Sequence, residues 1–197
     1  QARITEAVRV LSGDDFEGRA PASAGETKTV AFLVSQLTAA GLAPGGDPQP
    51  GGGRAWTQAV PLARSEIDGP VRVQVTAGRQ TQQWSQGDEV AIRAAQNGDP
   101  QVNLARTPVV FVGYGVTAPE RNWDDFKNED LKGRIALVLV NDPDFEAGSG
   151  DFGGRAMTYY GRWTYKFEEM ARRGAAGVLV IHETEPAAYG WETVKNS

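Results

Sequence analysis

Three short apolar runs punctuate an otherwise mixed chain: Val109–Val112, Ile135–Val140 and Val178–Ile181. Each has the length of a strand. Being apolar without alternation, each predicts a strand buried on both faces. Between the second and third, Tyr160, Trp163, Phe167 and Met170 recur at helical spacing, and Arg172 and Arg173 suit the negative end of that helix before Gly174. Strand, helix and strand in that order predict a parallel pair joined by a right-handed crossover. The stretch from Pro108 to Val140 thus organises the chain, with a Gly-Tyr-Gly corner and a Leu-Lys-Gly turn between its two runs.

Upstream the period changes to two. Val71, Val73 and Val75 alternate with Arg72, Gln74 and Thr76, Ala77–Gln80 turns the chain, and Thr81–Trp84 returns as a hairpin partner. Glu89–Ile92 is a further short strand candidate, and residues 96–100 read as a loop. Trp56–Leu62 also alternates, with Pro61 restricting it to an edge or a strand end. Small mixed sheets plus one β-α-β crossover make the fold class mixed α/β (α+β).

The first 64 residues read differently. Ile4, Val8 and Leu11 recur at helical spacing before Gly13, predicting a short amphipathic helix. A second helix, over residues 23–41, carries a capping box of Ser23 and Glu26, an apolar face of Val30, Leu33, Val34 and Leu37, and a Gly41-Leu42 ending before Pro44. Residues 44–53, PGGDPQPGGG, form a flexible surface loop.

Composition removes several functions. A net charge of −5 with no Lys/Arg run speaks against a general nucleic-acid binder. The lack of Cys removes disulfides and thiolate metal sites. No apolar run approaches the ~20 residues that span a bilayer. The opening QARITEAV has neither an initiator Met nor a signal-peptide pattern, so either a leader has been removed or the sequence begins internally.

Candidate chemistry is sparse. His182 is the only histidine, and Pro186 stands where an H-E-x-x-H partner would be. Gly113-x-Gly115-x-x-Ala118 follows a strand, but Pro119 and the polar run after it open no helix for a dinucleotide. Gly148-x-Gly150-x-x-Gly153 lacks both flanking elements. Asp142, Asp144 and Glu146 alternate as in a calcium loop, yet Ala147 and Gly153 stand where an EF-hand needs Gly and Glu. A looser calcium site adding Asp151 is therefore not expected. Phe16, Glu17, Gly18 and Arg19 form either a polar turn with a Glu–Arg pair or a loop beside a substrate. Tyr159, Tyr160, Trp163 and Tyr165 form either core with loop cover or an interaction surface.

Two sets of motifs resemble one family. Asp15-Phe16-Glu17-Gly18-Arg19-Ala20-Pro21, then Gly25-Glu26-x-Lys28-Thr29-Val30 and the helix to Gly41-Leu42, resemble the start of the co-catalytic di-zinc aminopeptidases, in the superfamily of glutamate carboxypeptidase and transferrin receptor. Trp56-x-Gln58-x-Val60-Pro61-Leu62 looks like the first strand of that catalytic domain. Phe111–Gly115, Asp124-Asp125-Phe126, Leu131–Ile135 and Gly174–Val178 resemble the protease-associated domain inserted in many of these enzymes. The resemblance implies residues 1–64 as an incomplete catalytic domain, 65–191 as a protease-associated domain and 192–197 as the start of the return. It implies zinc-dependent removal of N-terminal residues from peptides by the full protein, with metal ligands outside this chain and none within it. The 197-residue chain alone is expected to be inactive, with possible self-association through the bare face of helix 23–41. The remainder of the catalytic domain and peptide substrates are the implied partners. An extracytoplasmic (periplasmic or secreted) location with the signal peptide removed is implied as well. The alternative is a non-catalytic protease-associated-type module that binds proteins or peptides.

Overall fold

The computed structural model describes residues 2–94 and 99–196. Residues 96–98 of the loop expected at 96–100 therefore lie outside the described residues. The chain divides into two compact units, Gln1–Arg64 and Ser65–Ser197.

The first unit holds helix α1 (Ala2–Leu11), a 3-10 segment (Asp14–Arg19) and helix α2 (Ala24–Ala39). The ends of α2 follow from side-chain chemistry. Ser23 Oγ accepts the Glu26 N–H at 3.2 Å, and the Glu26 carboxylate accepts the Ala22 N–H at 2.5 Å, one residue before the N-cap. At the other end the Leu42 N–H reaches the Leu37 carbonyl at 3.1 Å and the Gly41 N–H reaches Thr38 at 3.0 Å. With Gly41 at φ 79° this is a Schellman ending. The expected apolar face is only half covered: Leu33 is 44% and Leu37 39% exposed. No hydrophobic side chain among residues 2–64 is buried.

The Trp56–Leu62 segment is not a strand, which corrects the expectation from its alternation. It carries the pattern but finds no neighbouring strand in its own unit, and Val60 and Leu62 are each 68% exposed. The segment's main chain turns instead to Asp47, whose N–H reaches the Thr57 carbonyl at 2.9 Å and whose carboxylate accepts the Ala59 N–H at 2.8 Å. Glu89–Ile92 likewise yields only an isolated bridge between Gln86 and Val90.

The second unit opens with the expected hairpin, β1 (Val73–Ala77) and β2 (Gln80–Trp84), paired antiparallel around Gly78-Arg79. Its centre is a parallel sheet of β3 (Val109–Phe111), β6 (Ile135–Leu139) and β7 (Gly177–Ile181), in that order, with helix α3 (Trp163–Arg172) crossing from β6 to β7. Between β3 and β6, β4 (Thr117–Ala118) and β5 (Trp123–Asp124) make a small antiparallel pair. Two short helices, α4 (Thr184–Ala187) and α5 (Trp191–Asn196), follow β7. The mixed α/β class is thus observed. No helix among the described residues is long and apolar enough to cross a membrane.

One face of the sheet packs on α3 through Val112, Phe126, Leu131, Ala136, Val138 and Met170. A second cluster joins Val116, Ala118, Phe152 and Tyr165. Gly115 sets the approach between sheet and helix: at φ 63°, a Cβ there would lie 2.7 Å from Met170 Cε and 2.8 Å from Val138 Cγ1. The outer face is less protected. Val109 and Phe111 on β3 are 46% and 57% exposed, so β3 is not buried on both faces as its unbroken apolar run implied. A helix covers only one side of this sheet, and β3 lies at its edge.

Candidate functional site

The polar groups of the second unit gather where β3 and β6 end. Lys166 projects from α3 on the same side as Trp163 and Met170, three residues after the first and four before the second. It is fully buried. Its ammonium donates to the carbonyl of Tyr114, just past β3, and to that of Asn141, just past β6, at 2.9 Å in the second case. Burial pushes its pKa down from the ordinary 10.5 to about 8, against the pull of the Asp125 and Asp142 carboxylates.

Those carboxylates are fixed by hydrogen bonds. Asp125 accepts the Val116 N–H at 2.9 Å and the Trp123 indole N–H at 3.0 Å, while burial raises its pKa. Asp142 is wholly buried and accepts both the N–H and the hydroxyl of Thr158, at 2.8 and 2.7 Å. Asn141 donates to the Pro186 carbonyl at 2.7 Å. Tyr114 is half-buried, and burial, reinforced by the charges of Glu146 and Glu183, raises its phenol. The cluster is an internal brace. Its central cation spends its protons on main-chain carbonyls and offers no face to a substrate.

Asp144 accepts the Phe152 N–H at 2.5 Å and so closes the loop between Asp142 and Thr158. Glu146 and Asp151 are exposed, and the Asp151 main-chain carbonyl takes the Arg121 guanidinium. Of the four acids of the calcium pattern, Asp142 and Asp144 thus serve the loop itself through their carboxylates.

In the first unit, Glu17, Gly18 and Arg19 are consecutively left-handed, at φ 51°, 74° and 61°. The Glu–Arg pairing suggested by the sequence is replaced by other contacts. Lys28 Nζ bonds the Glu17 carboxylate at 2.9 Å and the Asp15 carbonyl at 2.7 Å, while Arg19 reaches back to the Leu11 carbonyl. Phe16 meets Phe32 edge to face at 6.3 Å. Gly25 allows this closeness, because a Cβ there would stand 2.1 Å from the Phe16 carbonyl oxygen.

The aromatic residues separate as well. Tyr165 is buried and meets Tyr160 at 5.0 Å, and Tyr160 meets Phe152 at 5.7 Å. Their hydroxyls are occupied: Tyr165 accepts the Thr117 N–H at 3.0 Å and Tyr160 donates to Glu120 at 2.7 Å. Tyr159 is 51% exposed and donates to Glu168 at 3.0 Å. Trp163 turns elsewhere, to Phe167 and to Tyr189.

His182 stacks on Tyr189 at 5.6 Å and lies 6.0 Å from Trp191. Both ring nitrogens are shielded from solvent, with no hydrogen-bond partner among the described residues. The chain's one imidazole is enclosed by aromatic rings, and no group of three or more His, Asp or Glu among the described residues could hold a metal ion.

Sequence reasoning assigned Lys166, Asn141 and Asp125 no place in a polar cluster, although Asp125 stands in the Asp124-Asp125-Phe126 motif. The available signal was a cation on the Trp163–Met170 stripe, where an amphipathic helix should be apolar. Comparison with protein-family models, with curated proteins and with solved structures returns no match.

Proposed function

We propose that this chain is the N-terminal region of a zinc-dependent aminopeptidase-like hydrolase. In this reading residues 1–64 contribute helices to a catalytic domain, and residues 65–191 are an inserted protease-associated domain that modulates substrate access or contacts other proteins. The reading rests on the motif resemblance. The single structural observation that supports it is the contrast between the units. The second unit closes a core of its own around β6 and α3. The first buries no hydrophobic side chain and leaves Ile4 71%, Val8 60%, Leu33 44% and Leu37 39% exposed. Two helices with bare apolar faces, α2 capped at both ends, are half of a layered structure. The Phe16–Arg19 loop then lies near the substrate side, and the zinc ligands come from residues beyond this chain.

The test is a clone extended past Ser197 along its parent gene, assayed beside the 197-residue chain on aminoacyl p-nitroanilides with and without chelator. Chelator-sensitive release by the longer protein alone supports the reading. Release by the 197-residue chain, or no release by a longer protein that carries no His, Asp and Glu ligand set, overturns it.

A further inference from the structure

After β7 the chain folds over the strand ends as a strap. Its two short helices, α4 and α5, are joined through Ala188, left-handed at φ 65°, and Gly190. Pro186, Ala187 and Val194 are its buried residues. The hydrogen bonds that tie it down include Asn141 Nδ2 to the Pro186 carbonyl at 2.7 Å, Trp191 Nε1 to the Gly87 carbonyl at 2.7 Å, and Arg93 to the Val194 carbonyl at 3.3 Å. A further tie, the Arg155–Glu185 ion pair, is exposed on both sides and contributes little.

From the strap, Tyr189 meets Trp163 at 6.2 Å and His182 at 5.6 Å between ring centroids. Trp163 Nε1 and both nitrogens of His182 are thereby shielded without a hydrogen-bond partner among the described residues. A shielded polar atom without a partner forfeits the hydration it would have in an open state. Such atoms oppose closure, against the hydrogen bonds and small apolar patch that favour it. A balance of that kind belongs to the low-stability end of a fold, which opens locally before the core does.

We propose that residues 184–196 form a hinged strap that opens independently of the β3–β6–β7 sheet, uncovering His182 and Trp163 at the strand ends. Neither residue is used by the zinc chemistry proposed above, and the inference does not depend on it.

Diethyl pyrocarbonate reads the opening, because it acylates an accessible imidazole nitrogen and His182 is the only histidine. In the 197-residue chain the modification should run at least about tenfold slower than in N-acetylhistidine, as a tie of this strength predicts. Its dependence on low urea should be much weaker than that of global unfolding followed by circular dichroism, because a strap exposes little surface. Trp191→Phe, which keeps an aromatic ring and removes the indole N–H bonded to Gly87, should raise the rate about threefold to tenfold with the unfolding midpoint nearly unchanged. Arg93→Ala, at an exposed position, gives the same readout if Trp191→Phe fails to fold. Modification at the free rate, a urea dependence equal to that of global unfolding, or an unchanged rate in the folded tie variants would each overturn the strap.

Discussion

The ammonium of Lys166 lies 2.9 Å from the carbonyl oxygen of Asn141, and the same nitrogen also holds the carbonyl of Tyr114. A single side chain from α3 therefore joins the ends of two parallel strands. The cost is a cation in the interior, which the protein expresses as a pKa lowered to about 8.

That cost predicts a pH profile. Between about pH 8 and 10 the unfolded chain keeps its Lys166 proton while the folded chain gives it up, so the unfolded state binds more protons. Stability attributable to Lys166 then rises with pH, by as much as about 3 kcal/mol if the window ran to the unfolded value. Above about pH 10 the raised phenols of Tyr114 and Tyr165 act in the opposite direction, since the folded state holds those protons longer. Urea midpoints of wild type and Lys166→Met, compared from pH 7 to pH 10, should diverge with wild type gaining. Parallel profiles would remove the buried charge from the explanation.

Thr158 supplies both donors that reach the Oδ2 atom of buried Asp142. Thr158→Val keeps the shape and the N–H but withdraws the hydroxyl. A loss of about 1–3 kcal/mol is expected, the usual consequence of depriving a buried carboxylate of a hydrogen bond. Limited proteolysis should show earlier cutting between residues 143 and 157. Unchanged stability and cutting would mean that Asp142 is not what holds this loop.

Much of this architecture is legible in the chain, and the exceptions have physical reasons. Ser23, Glu26 and Gly41 mark α2 to within a residue because caps are local chemistry. The crossover through α3 is legible because the order of apolar runs leaves few topologies. Trp56–Leu62 misleads because alternation describes a face, whereas a strand also requires a neighbour. Val109 and Phe111 mislead because an apolar run cannot say which of its faces will be covered. The Lys166 brace is hidden for a related reason: a lysine's value inside a protein depends on carbonyls brought from 52 and 25 residues away.

Gly25 offers a sharper test of the first unit. A methyl group there would collide with the Phe16 carbonyl oxygen, so Gly25→Ala should push the Asp14–Arg19 turn off α2 while leaving the helix itself intact. Hydrogen exchange should accelerate at the backbone amides of residues 14–19, which lose the Lys28 ammonium that anchors the turn, while the amides of α2 stay protected. Equal exchange in the two proteins would show that the turn adapts without moving away.

Under the proposed function the apolar faces of α1 and α2 are unpaired in this chain, and self-association is the expected response. Light scattering should give a mass that rises with protein concentration. Leu33→Glu with Leu37→Glu should return it to a monomer without loss of helical signal. A wild-type monomer at every concentration, with α2 ordered, would contradict this.

The three-residue strand β3 has a consequence for production and handling of the protein. Among the described residues it has one strand partner, β6, and its other edge is unpaired, with Val109 and Phe111 exposed. Edges of this kind template the addition of further chains when a population partly unfolds. Brevity and the preceding Pro108, which has no N–H to offer, are the features that restrain it. Fibre growth on prolonged warming would be expected to start here, and replacing Phe111 with a lysine is the single change best placed to delay it.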